Sequence, residues 1–241
     1  MDLAACDWPS CTRYAPRDEA DKLRWRSGPL TVDSAEAVVT RTSVRPVLVT
    51  GATGRVGRAV VAQLLGAGVP VRALTRRPAT AGLPATVEVV AGDFTVPESL
   101  DAALQGVGAV FLLWTARPTI APAVVERLAS HARRVVCLSS PHRTPHPFFQ
   151  QPNPMARFHA DVERLIAAAG LQSTIIRPGM FASNTRLWWA SMIRDGDVVR
   201  WPYGAAETAP IDERDIAAVA ARALMRTGTR AGTTSSRALS R

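Results

Sequence analysis

The stretch Val47-Leu48-Val49-Thr50-Gly51-Ala52-Thr53-Gly54-Arg55-Val56-Gly57 constrains the fold of this chain more than any other part of its sequence. A short apolar run ending in glycines reads as a buried parallel strand. The next segment reads as a helix with Val56, Ala59, Val60 and Leu64 on one face, stopped by Gly66 and Gly68. Strand, glycine turn and helix at a first βα junction are the setting in which a G-x-x-G-x-x-G spacing binds a dinucleotide. Gly51 permits the tight turn, Gly54 admits a pyrophosphate to the backbone, and Gly57 allows the helix to lie close on the strand. The helix N-terminus adds unpaired N–H groups and positive potential. The alternative is a tight βα turn that holds no ligand.

The alternation continues along the chain. Val71–Thr75 and 86–90 read as the second and third strands, 100–104 as a short helix, and 109–114 as the fourth strand. A helix over 121–132, a fifth strand over 135–139, a helix over 155–169 and a strand over 173–177 come next. Repeated βα units of this length give a parallel sheet. Beyond Arg177 the expectations are a partly helical 181–193, a short strand at 197–201, and an alanine-rich helix at 215–225 with Asp212 as its N-cap. Residues 1–44 have no sustained period and read as a disordered leader, with a short helix near 34–39. Residues 45–227 form the nucleotide-binding domain with a partial substrate lobe, and 228–241 an irregular tail. The expected fold class is α/β: a Rossmann-type doubly wound parallel sheet with an incomplete small C-terminal lobe.

The second strand ends at Thr75-Arg76-Arg77-Pro78. NAD-specific sites place an acid here for the ribose 2′-hydroxyl. Two guanidiniums suit a 2′-phosphate instead, so NADP(H) is expected over NAD(H), with Arg55 adding to the same pocket. The other reading is solvated surface arginines. Gly92-Asp93-Phe94 closes the third strand; Asp93 can accept from an adenine amino group beside the Phe94 amide, or serve as an ordinary turn aspartate. With Gly51, Thr53, Gly54, Arg55, Val56, Gly57, Arg76 and Arg77, the expected cofactor contacts include Leu113 and Trp114 at the end of the fourth strand.

The net charge of +9 is carried almost wholly by arginine, Lys22 being the one lysine. The arginines are scattered rather than striped, which argues against nucleic acid. No run of about 18 apolar residues suggests a membrane span, and the N-terminus lacks a signal-peptide pattern. Three cysteines, Cys6, Cys11 and Cys137, give no disulfide framework and no zinc spacing. A cytoplasmic location is the expectation. His142 and His146 fall in a proline-rich loop without a third ligand, so no metal is expected.

Together these segments resemble the NmrA-like, atypical short-chain dehydrogenase/reductase family. The likeness extends through Leu138-Ser139-Ser140, the His159-x-x-x-Glu163 helix, Thr174–Phe181 with Asn184, and Ile211–Ala217. It spans about residues 46–225. It implies an NAD(P)H-binding Rossmann domain with a small substrate lobe. It would place Ser139, His159 and the Arg177–Phe181 segment, Pro178 included, near the nicotinamide. It also implies that more helix lies beyond position 225. The tail here has no apolar face, and one reading is a truncated lobe produced by a frameshift: another reading frame, back-translated, yields a family-like Thr-Gly-Pro-Glu stretch.

The Tyr/Lys pair of short-chain dehydrogenases cannot exist in this chain, whose tyrosines are Tyr14 and Tyr203 and whose lysine is Lys22. That removes the usual alcohol–carbonyl proton relay. His159 is left as a proton donor or ribose partner, or as a buried structural histidine. Glu163, one turn later, reads as packing or bonding the backbone near Arg177. Ser139 is a candidate substrate or nicotinamide contact without a neighbouring base. Trp188 and Trp189, with Phe181 and Met192, form either a wall for a flat substrate or core under the lobe. Hydride transfer to a quinone or similar small carbonyl compound fits this inventory. The substrate itself stays unknown, and the alternative is a non-catalytic NADP-binding redox sensor with a protein partner.

Overall fold

The computed structural model describes residues 45–141, 154–196, 198–200, 209–226 and 232–234. The chain divides into Met1–Thr40 and Arg41–Arg241, and all described residues belong to the second unit. The expected leader, His142, His146, Tyr203 and most of the tail lie outside the described residues.

Among the described residues seven strands build one sheet: β1 (Val47–Val49), β2 (Val71–Thr75), β3 (Glu88–Ala91), β4 (Ala109–Leu113), β5 (Arg134–Leu138), β6 (Gln172–Ile176) and β7 (Gly232–Thr234). Their order is β3-β2-β1-β4-β5-β6-β7 and every pairing is parallel. Chain order reverses between β1 and β4, whose registers match Val47 to Ala109 and Val49 to Phe111. Such a switch point opens a crevice at the carboxyl ends of the strands. This is the doubly wound sheet that the alternating pattern led us to expect.

The helices are α1 (Arg55–Gly66), α2 (Asp101–Leu104), α3 (Ala121–His131), α4 (Pro154–Ala168), α5 (Ala182–Gly196) and α6 (Glu213–Met225). They divide the core in two. On one face Val56, Val60, Val61 and Leu64 of α1 pack with Ile216, Ala217, Ala220, Ala221 and Leu224 of α6 over β1 and Phe111. The small side chains of α6 let it lie close beside α1. On the other face Leu100, Leu104, Val124, Leu128, Val162 and Ile166 cover Leu48, Val110 and Leu112. Each fully buried side chain of this size contributes about 1.5–3 kcal/mol. Asp212 caps α6 as expected, accepting the Arg214 N–H at 2.7 Å. At the opposite end Arg134 donates to the Ala223 carbonyl at 3.0 Å, a cation placed on exposed C-terminal carbonyls.

Three elements differ from the sequence reading. Residues 198–200 carry no strand, because α5 continues through 196. The 181–193 segment is helical almost throughout rather than in part. The tail, read as irregular, supplies β7, whose Gly232–Thr234 backbone continues the ladder on β6. A strand of three residues adding to a sheet edge leaves no hydrophobic pattern to detect.

The glycines at the βα turn do different work. Gly51 has φ 63°, a left-handed conformation that a side chain would strain. A Cβ on Gly57 would stand 2.1 Å from the Gly51 carbonyl oxygen and 2.9 Å from the Ala52 Cα. These are backbone atoms and cannot swing aside. Gly66, at the far end of the same helix, has nothing within 4 Å of a built Cβ. Gly57→Ala is therefore expected to lower unfolding free energy by about 3 kcal/mol or more, and Gly66→Ala to raise it slightly, by about 0.5 kcal/mol, in urea denaturation. Similar values for the two variants would contradict the close contact.

Candidate functional site

A cleft of about 590 Å³ opens at the carboxyl ends of β1, β2, β3 and β4. Thr50, Gly51, Thr53 and Gly54 form one wall, Thr75, Arg76 and Arg77 with Thr80 and Ala81 a second, and Gly92–Thr95 a third. Leu113, Thr115 and Ala116 close it on the β4 side. Eight expected cofactor contacts thus meet in one place: Gly51, Thr53, Gly54, Arg76, Arg77, Asp93, Phe94 and Leu113.

The wall from β1 is built by a turn that leaves its amides facing outwards. Gly54 is the N-cap of α1 and no side chain caps this end. The Gly54 N–H donates to the Gly51 carbonyl at 2.9 Å, and the first bond within the helix runs from Arg58 N–H to the Gly54 carbonyl. The amides of the first turn keep their donors for a ligand, and no acid stands among the residues there. Val56 and Gly57 are buried beneath this turn rather than in the cleft. Thr50, which sequence reasoning passed over, fixes the crevice itself. Its hydroxyl donates to the Phe111 carbonyl at 3.1 Å and accepts the Leu113 N–H at 2.8 Å, tying the end of β1 to β4 across the switch point.

Arg76 and Arg77 are exposed at the cleft rim, and among the described residues neither guanidinium is hydrogen bonded to a protein group. Arg77 N–H donates to Thr75 Oγ1 at 3.2 Å, which turns the chain out of β2. Asp93 Oδ1 accepts the Thr95 N–H at 2.9 Å. That bond, with a smaller contribution from the Arg76 charge, holds the Asp93 carboxyl below its ordinary 3.8 against the opposing effect of desolvation. A depressed carboxyl pKa stabilises the fold above the unfolded value and loses that effect as pH falls through the folded one. Asp93 is therefore ionised throughout the neutral range, and the second oxygen remains an acceptor. Phe94 is buried and stacks on Trp114 with centroids 5.1 Å apart and planes 14° from parallel. Trp114 does not line the cleft. Its indole N–H donates to the Ala116 carbonyl at 2.7 Å, so it backs the wall from behind.

Arg55 corrects an expectation. It does not join Arg76 and Arg77; its Nη1 donates to Ser183 Oγ of α5 at 3.0 Å, and Ser183 in turn donates to Glu213 at the start of α6. Arg55 is not among the residues that line the cleft.

Ser139, His159 and Pro178 do not line the cleft. Ser139 and Pro178 come after β5 and β6 at the same edge of the sheet, farther along it, and both are buried. The Ser139 N–H donates to the Ile176 carbonyl at 2.8 Å and its hydroxyl to Glu163 Oε1. The sequence places Glu163 against the backbone near Arg177. It meets the Arg177 side chain instead, in a two-pronged pair with Nε to Oε1 at 2.9 Å and Nη2 to Oε2. The pair raises the Arg177 pKa. His159, half-buried on α4, lies one turn before Glu163 with its ring 5.3 Å from that of Phe158. Cys137 is buried in β5, which pushes its thiol up to about 12. No residue of α5 is buried, so Trp188 and Trp189 are not core. Trp189, Ala190 and Ile193 with Thr185, Arg186 and Arg194 line a shallower cavity of about 380 Å³.

Among the described residues no cluster of three or more His, Cys, Asp or Glu is placed to hold a metal. No helix among them is long and apolar enough to cross a membrane.

Residues 51–227 match the NAD(P)H-binding family over most of the chain. This chain belongs to that family, within the NmrA-like, atypical short-chain dehydrogenase/reductase class. It is 41% identical over 189 residues to the (4-alkanoyl-5-oxo-2,5-dihydrofuran-3-yl)methyl phosphate reductase of Streptomyces griseus, a stretch covering 76% of this chain and 64% of that protein. It is 33% identical over 191 residues to an NAD(P)H azoreductase of Xenophilus azovorans, again covering 76% and 64%. The chain thus spans slightly under two thirds of these curated relatives. An NADPH-dependent quinone oxidoreductase of Escherichia coli, solved with NADPH, superposes with a TM-score of 0.67 at 25% identity, covering 78% of this chain and 68% of that one. The family is one of NAD(P)H-binding, oxidoreductase-like proteins, and the cleft lies at the switch point of the sheet.

Glu163 and Arg177 form a partly buried ion pair, and removing one partner leaves the other without compensation. Glu163→Gln removes the compensating charge from the partly buried Arg177 guanidinium and is expected to cost about 1–2 kcal/mol of stability, read as a lowered denaturation midpoint. A midpoint unchanged from wild type would show that the pair does not hold β5 and β6 to α4.

Proposed function

We propose that this chain is an NADPH-preferring reductase that delivers hydride to a small, flat, conjugated acceptor such as a quinone. One observation carries the cofactor preference: the end of β2 turns two exposed guanidiniums, and no carboxylate, into a cleft bounded by the glycine turn. Arginine forks match a phosphate bidentately and gain charge-assisted hydrogen bonds. The fit of the rest supports the same occupant. The turn offers unpaired amides where a pyrophosphate would lie, Gly54 presents no side chain there, and the free oxygen of Asp93 suits an exocyclic amine.

The bound nicotinamide would supply the hydride. The chain's residues orient it and manage the proton. The names of the relatives point to acceptors with a shared character: a quinone, an azo bond, and an unsaturated lactone bearing an acyl group. Each is an electron-poor conjugated system in which hydride adds at one atom and a proton at another. That reaction needs no tyrosinate, which agrees with a chain whose tyrosines and single lysine cannot pair. A hydroquinone oxyanion takes its proton from His159 or from water. Ser139, through Glu163 and Arg177, fixes the backbone on which such a substrate would rest. The relatives named above are reductases, so no observation favours the sensor alternative.

Titration with NADPH and NADH tests the preference, and NADPH oxidation with a panel of quinones, azo dyes and acyl butenolides tests the reaction. Arg76→Glu is expected to weaken NADPH by about 100-fold (roughly 2.7 kcal/mol, the scale of a lost phosphate ion pair plus a new repulsion) and NADH far less. Affinity for NADPH should fall as pH drops through about 6, where a phosphate monoester takes a second proton. NADH affinity should stay level there, since Asp93 remains ionised. Equal losses for both nucleotides in the variant would refute the 2′-phosphate assignment.

A further inference from the structure

Arg58 belongs to no motif singled out in the sequence, yet it makes three hydrogen bonds to main-chain carbonyls on two separate loops. Its Nε donates to Thr53 in the glycine turn at 3.0 Å. Its Nη2 donates to Ala81 at 2.8 Å and its Nη1 to Gly82 at 2.6 Å. Thr53 and Ala81 both line the nucleotide cleft, on opposite walls. Gly82 has φ 56°, the left-handed conformation that favours glycine, and a Cβ there would sit 3.6 Å from Arg58 Nη2.

The two arginines at the end of β2 ride on the arch formed by residues 76–82. Thr75 Oγ1 holds its start through the Arg77 N–H. A 3-10 turn, Pro78–Thr80, forms its middle. Arg58 holds its end. A guanidinium is the one side chain that can do this, because its donors are fixed in a plane and diverge enough to reach two loops at once. All three partners are carbonyls, so the Arg58 charge is not neutralised by them. Arg58 thus adds a third guanidinium to the arch that carries Arg76 and Arg77.

We infer that Arg58 is a positioning residue for the 2′-phosphate: it clamps the 76–82 arch to the pyrophosphate turn, so that the two phosphate-binding walls form as one unit. This rests on the NADPH reading above. It assigns Arg58 no direct contact with the nucleotide.

The experiment measures Kd for NADPH and NADH in wild type, Arg58→Ala, Arg58→Lys and Gly82→Val. Lysine keeps the charge but has one nitrogen and cannot span both loops. Valine at Gly82 opposes the left-handed conformation from the other end of the contact, at an exposed position. The clamp requires all three variants to lose about tenfold in NADPH affinity, the scale of hydrogen bonds to a charged group, with NADH affected less than threefold. At saturating NADPH the variants should turn over as wild type does, giving a change in KM without one in kcat. Full rescue by lysine would mean that charge alone matters and would overturn the clamp. So would unchanged NADPH binding in Gly82→Val, which decides the matter if Arg58→Ala does not fold. Failure of the underlying reading looks different: wild type itself would not prefer NADPH.

Discussion

The structure depends on how closely α1 approaches the turn that precedes it. With a hydrogen in place of a side chain at Gly57, the first helical turn rests directly on the Gly51 carbonyl and the Ala52 Cα. That contact aims the α1 axis at the carboxyl edge of the sheet and brings its unpaired amides to the switch point between β1 and β4. Thr50 completes the junction by bonding across that switch point to β4. The helix dipole, the free N–H groups and the cleft are thus consequences of one place where no Cβ fits.

From that junction the edge of the sheet divides by task. The ends of β1, β2 and β3 make a cationic, amide-rich cleft suited to the phosphates and adenosine of a nucleotide. The ends of β5 and β6 carry a different chemistry, a partly buried Glu163–Arg177 pair with the Ser139 hydroxyl on it. The first region is solvent-accessible, with the Arg76 and Arg77 guanidiniums exposed at its rim. The second is internally satisfied: Glu163 accepts from both Arg177 and Ser139. Between them Leu113 closes the cleft, and Trp114 with Phe94 stiffens the wall behind it.

Most of this is legible in the sequence because the signals are local. Apolar runs of strand length, a glycine spacing and a residue such as Asp212 before a helix act within a few positions of themselves. The limits of β2 and the cap of α6 agree with the sequence reading for that reason. What escapes it is long-range. Arg58 bonds carbonyls up to 24 positions away and Arg55 a hydroxyl 128 positions away, and no periodicity announces such partners. Charge alone assigns Arg55 to the phosphate pocket, and its direction along α1 sends it to α5 instead. The sequence sets Glu163 near Arg177, but whether it meets backbone or side chain depends on the depth of β6 against α4. β7 escapes notice because edge addition through main-chain bonds asks little of side chains.

A direct titration of the chain with NADPH, run in parallel on Gly54→Val, tests whether the glycine turn holds a dinucleotide. Gly54 has an extended backbone, φ −82° and ψ 174°, and a Cβ there meets the Gly51 carbonyl oxygen at 3.3 Å, so valine asks that oxygen to yield by a few tenths of an ångström while its side chain occupies the place of the pyrophosphate. Saturable one-to-one uptake by wild type, with none by a variant whose circular dichroism shows the same fold, is the expected result. Equal uptake by both proteins would contradict it.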